Sequence, residues 1–167
     1  DGDGWEDLLV ARLLGRHGVL PPEDLLDKLR AYQDPARAGG APSFVAYLVR
    51  TAGLPERLAG QAADAARRGY AALRDRIALS TLRNANRIPG PALERVAREA
   101  GGRPFTRALV EGKLLRPEDA TALEGRVDEA LGLARRRAIQ AARTAAGGGG
   151  GVEAVRRESL RRLMEML

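Results

Sequence analysis

Apolar residues recur along this chain at helical spacing, and one arrangement of them returns. Leu9, Val10, Leu13 and Leu14 stand at i, i+1, i+4 and i+5, one face of a helix. Gly18 follows, a residue able to take the left-handed conformation that ends a helix. Pro22, Glu23 and Asp24 then open a second helix: proline loses nothing in a first turn, and carboxylates favour the positive end of the dipole. Leu25, Leu29 and Tyr32 form its buried stripe, with Leu26 at the edge. The unit predicted is helix, tight turn, helix.

Shifted by 35 residues, Leu9 to Val19 aligns with Phe44 to Leu54: Val, Ala, Leu and Gly recur in register. A third copy starts near Ala78, setting Leu82 on Leu48 and Ile88-Pro89 on Leu54-Pro55. A fourth starts at Phe105, with Leu109-Val110 on Leu48-Val49 and Leu115 on Leu54. There Gly112 falls two positions early, which predicts a different turn. Pro22-Glu23-Asp24 also returns as Pro117-Glu118-Asp119. All nine prolines fit turns or helix starts, and none interrupts an apolar-periodic segment. Because the spacings drift, the pattern predicts an orthogonal bundle rather than a regular superhelix.

Between these units, residues 34–43 read as a loop. Residues 55–86 read as one or two helices with Gly69 as the break, and 117–146 as one long helix. Five glycines at 147–151 form a linker, and 152–167 a short amphipathic helix. The expected fold is all-α: a compact bundle of about four duplicated helical hairpins in residues 1–146, plus a tethered C-terminal amphipathic helix. Val152, Val155, Leu160, Leu163, Met164 and Leu167 give that helix an apolar face for its own bundle, a second copy or a partner.

Composition narrows the chemistry. The chain has 167 residues, 44% hydrophobic and only 4% aromatic, so its core must be Leu, Ala and Val. Without cysteine there are no disulfides, thiolate metal sites or Cys nucleophiles. His17 is the single histidine and sits where a helix ends; a Ser-His-Asp triad would have to use it, no serine stands in a strand–turn–helix context, and a metal site would have only carboxylates besides. Ser43 reads as a helix cap rather than a nucleophile. The glycine run lacks the lysine and preceding strand of a phosphate loop. No enzyme activity, cofactor or metal is expected. No apolar run approaches the ~18 residues of a membrane span, and no basic-then-apolar leader is visible, so the expected setting is cytoplasmic, without membrane insertion. The start at Asp1 reads as a trimmed chain.

Charge raises one further possibility. Net charge is +6, and of 28 basic residues only Lys28 and Lys113 are lysine. A GC-rich genome gives such an arginine excess, and so does an anion-binding surface. The candidates for the latter are Arg126, Arg135, Arg136, Arg137 and Arg143 on the long helix, and Arg83, Asn84, Asn86 and Arg87 at the third turn.

Leu13-Leu14, Gly18, Val19-Leu20, Leu25, Leu29 and, one place late, Gln33 follow a pattern that resembles the N-terminal helical repeats of bacterial type II secretion and type IV pilus assembly ATPases. The resemblance covers roughly 25 residues of the first unit. It implies a helical hairpin serving as a docking domain or, in some members, binding cyclic di-GMP. Leu9-Val10-Ala11 stands where the family opens with Arg-Leu-Gly, residues that help approach the nucleotide in binding members. The expectation is therefore a non-catalytic interaction or scaffold module of a larger bacterial protein or assembly, with a protein partner or a homodimer. Nucleic-acid binding and cyclic-dinucleotide binding are the alternatives.

Overall fold

The computed structural model describes residues 4–145 and 151–167, and among them every regular element is a helix. In chain order they are α1 (Trp5–Arg16), α2 (Pro22–Tyr32), α3 (Pro35–Ala38), α4 (Phe44–Ala52), α5 (Glu56–Ala85), α6 (Gly90–Glu99), α7 (Phe105–Glu111), α8 (Pro117–Ala145) and α9 (Val152–Met166). Residues 147–150 of the expected linker lie outside the described residues. The chain groups into two compact units: residues 1–70 with 134–167, and residues 71–133.

In the first unit α1 ends in a hydrogen-bonded turn. The Gly18 N–H bonds to the Gly15 carbonyl at 3.1 Å and the Val19 N–H to the Leu14 carbonyl at 2.9 Å, with Gly18 at φ 66°. This is the Schellman arrangement, which satisfies carbonyls a helix end would otherwise leave bare. Pro22 opens α2, and Leu25, Leu26 and Leu29 are all buried. Leu26 is thus core rather than edge: α9 packs on α2, and Leu26 and Met164 line one groove. Tyr32 is only half-buried; its ring joins those of Phe44 and Tyr47 at centroid distances of 5.5 and 5.7 Å.

The stretch expected as plain loop contains α3, one helical turn. The Asp34 carboxylate caps it by accepting from the Ala36 N–H at 3.1 Å, and Arg50 donates to the Gly39 carbonyl at 2.9 Å. Ser43 caps α4 through the Ala46 N–H at 3.3 Å. Gly69 does not break α5. A single glycine removes no backbone donor, its cost of about 1 kcal/mol is small beside that of ending a helix mid-core, and the space a Cβ would take lies 3.7 Å from Leu9.

The second unit is built from the end of α5, α6, α7 and the start of α8, around Leu82, Leu93, Phe105, Leu109, Leu123 and Val127. Its α5–α6 turn closes on Asn86, at φ 50°, whose N–H bonds to the Leu82 carbonyl at 3.1 Å. The α7–α8 turn does not differ from the first, as the early Gly112 suggests it should. The Lys113 N–H bonds to the Val110 carbonyl at 3.0 Å and the Leu114 N–H to the Leu109 carbonyl at 2.9 Å. That is the pattern of Gly18 and Val19, 95 positions on. Gly112 has φ −76°; the left-handed residue is Lys113, at φ 56°. A residue with a Cβ costs roughly 1–2 kcal/mol there.

Candidate functional site

The arginines singled out by sequence have separate fates. Arg135 lies over the Trp5 ring, 5.3 Å from its centroid, so part of its role is packing. Arg136, Arg137 and Arg143 are exposed on α8. The arginines of α9 are occupied: Arg157 donates to Glu23 at 2.5 Å, Arg162 to Glu158 at 2.7 Å, and Arg161 to both Glu158 and Glu165. The bonds from Arg161, the main cause, and Arg162 hold the Glu158 carboxyl below its ordinary value. α9 itself is seated within the first unit. Leu160 and Leu163 are buried, Val155, Met164 and Leu167 are half-buried, and Val152 is 84% exposed.

In the second unit Arg83 pairs with Glu94 at 2.9 Å, Asn84 is exposed, and Asn86 is the left-handed residue of its turn. Arg87 and Arg126 come together. They border an open cleft of about 580 Å³ between the end of α5 and the α7–α8 turn. Its floor is aliphatic: Leu82, Ile88 and Leu123 are buried, while Val110, Leu114 and Leu115 are half-buried. Lys113 joins Arg87 and Arg126 on the rim. All three are exposed, and among the described residues none has an ion-pair partner. Arg116, also on the rim, donates to Asp119 at 2.8 Å.

Sequence reasoning missed Lys113 and the floor beside it. Two signals pointed there: Lys113 is one of only two lysines, and the Pro22-Glu23-Asp24 echo at Pro117-Glu118-Asp119 sets it on Gly18. It also missed a polar network at the N-terminal end of α7. The Asp75 carboxylate accepts from the Phe105 N–H at 3.0 Å, capping a helix whose own N-cap, Pro104, offers no side-chain acceptor. Thr106 donates to Glu124, and Arg74 bridges Glu124 at 2.6 Å and Asp128 at 2.5 Å. Burial pushes the Asp75 carboxyl up, opposed by the Phe105 N–H. Each member of this network has a structural partner. Arg74, Asp75, Thr106 and Glu124 also line a small pocket of about 210 Å³.

Among the described residues no three His, Cys, Asp or Glu side chains group as a metal ion would need. No described helix is long and apolar enough to cross a membrane. Comparison with protein-family models, curated proteins and solved structures gave no match.

Proposed function

We propose that this chain is a non-catalytic helical interaction module of a larger bacterial protein or assembly, and that it engages a protein partner at the cleft of the second unit. The observation that carries this reading is the cleft itself. Half-buried Val110, Leu114 and Leu115 form an aliphatic surface beside the α7–α8 turn, with exposed cations around it. Ligand sites that enclose small molecules bury most of the ligand surface, whereas an open aliphatic groove suits a helix or loop of another chain. The recurring turn at Gly18 and Lys113 supports a duplicated hairpin as the building block.

A photo-crosslinking residue at Ala122, exposed on the cleft, tests the reading against the same residue at exposed Arg57. Discrete protein adducts in the protein's own cells from Ala122 and not from Arg57 are expected. No adduct from Ala122, or the same adducts from both positions, overturns it. Nucleic-acid binding is a second reading, favoured by the exposed Arg136, Arg137 and Arg143. It predicts RNA or DNA affinity at ~50 mM salt that falls steeply as salt rises. Flat, negligible binding removes it.

A further inference from the structure

The cleft has a chemical preference that the interaction reading alone does not specify. Its floor is aliphatic, and its lining includes no aromatic ring on which a base could stack. Its rim carries Arg87, Lys113 and Arg126 against one carboxylate, Asp119, which already accepts from Arg116. Three cations without ion pairs among the described residues therefore surround an apolar strip, within a unit whose other exposed arginines include ones that are paired, such as Arg83 with Glu94 and Arg107 with Glu111. Lys113 strengthens the point. It holds a left-handed backbone conformation at the turn position where the α1–α2 hairpin has Gly18. A glycine there would relax the backbone and remove the amine from the rim. Electrostatic complementarity of this kind selects partners and speeds encounter.

We infer that the occupant of this cleft is an acidic amphipathic helix of a protein partner, its apolar stripe on Val110, Leu114 and Leu115 and its carboxylates against Arg87, Lys113 and Arg126. This rests on the interaction-module reading and adds the chemistry of the partner. Anchors at i, i+3, i+4 and i+7 are how such helices fill aliphatic grooves.

The test uses three fluorescent helical peptides with one Leu stripe and flanks of Glu, Gln or Lys. Each is titrated by anisotropy into the full chain and into a triple variant, Arg87→Glu, Lys113→Glu, Arg126→Glu. All three positions are exposed, and thermal melting confirms that the variant folds. The expected result is that the Glu-flanked peptide binds the natural chain at least tenfold tighter than the Lys-flanked one, with the order reversed in the variant. Equal binding of all three peptides overturns the acidic preference and leaves the interaction reading standing. No binding by any of them up to millimolar concentration overturns both. A Glu preference that the triple variant retains places the acid-reading surface elsewhere and overturns the assignment to this cleft. Tighter binding by a short single-stranded RNA that displaces the Glu-flanked peptide gives the cleft to nucleic acid instead.

Discussion

The α1–α2 and α7–α8 hairpins turn on the same pair of backbone hydrogen bonds, yet they are finished differently. In the first, the left-handed residue is Gly18, and the α2 face beyond it carries Leu26, buried beneath α9. In the second, the left-handed residue is Lys113, and the position matching Leu26 is Thr121, exposed and bonded to the Pro117 carbonyl. One hairpin is built to be covered by its own chain. The other keeps a charged residue at a conformationally costly position beside an open aliphatic cleft. The same backbone device thus serves packing in one place and presents a surface in the other.

The largest test of that contrast removes the cover. Leu163 is buried between α9 and its unit, so Leu163→Ala should cost roughly 2–4 kcal/mol, whereas Thr121→Ala on the uncovered hairpin should stay within about 0.5 kcal/mol. Urea unfolding of the two variants measures both. Comparable losses would mean that α9 is not the part that completes the first hairpin.

Next in size is the capping of α7. Asp75→Ala leaves the Phe105 N–H unsatisfied and should destabilise by about 1 kcal/mol, while Asp75→Asn keeps an acceptor. The two units should also answer pH in opposite directions. Burial raises the Asp75 carboxyl, so its contribution is fully present below the ordinary carboxylate range and lost as pH rises through its folded value. Arg161 lowers the Glu158 carboxyl, so that contribution is present at neutral pH and lost as pH falls. Stability measured from pH 3 to 7 should therefore lose a downward component on rising pH in Asp75→Asn and an upward component in Glu158→Gln. Identical slopes in both variants would contradict the assignment.

Exchanging the two turn residues acts on the comparison directly. Lys113→Gly should stabilise by up to about 1 kcal/mol, and Gly18→Lys should destabilise by a similar amount. If Lys113→Gly is neutral or harmful in thermal melting, the lysine has a folding role, and its place on the rim is no longer the reason it is tolerated.

Much of this contrast was legible in the residues. Gly18, Pro22 and the Leu25–Leu29 spacing specify the first hairpin locally, and Pro117-Glu118-Asp119 marks the second. What was not legible depends on contacts distant in sequence. Leu26 reads as an edge position until α9, more than a hundred residues later, is placed on it. Lys113 reads as an ordinary surface lysine, because glycine is the usual sign of a left-handed residue and Gly112 stands next door as a decoy. Arg87 and Arg126 were candidates from separate clusters, and only the packing of α5 beside the α7–α8 turn sets them on one rim. The five glycines, the most conspicuous feature of the sequence, told least about function.

The smallest effects concern the two long helices, one glycine in each unit. The space a Cβ would take at Gly60 of α5 or Gly125 of α8 has nothing within 4 Å, and neither residue has a positive φ. Gly60→Ala and Gly125→Ala should each stabilise by roughly 0.5–1 kcal/mol, chiefly by restricting the unfolded chain. Their relative size carries the information. If the units unfold together, both substitutions shift one common transition by similar amounts. If they unfold separately, Gly60→Ala moves only a transition reported by Trp5 fluorescence, a probe confined to the first unit, and Gly125→Ala leaves that signal unchanged while raising the helical melting curve seen by circular dichroism.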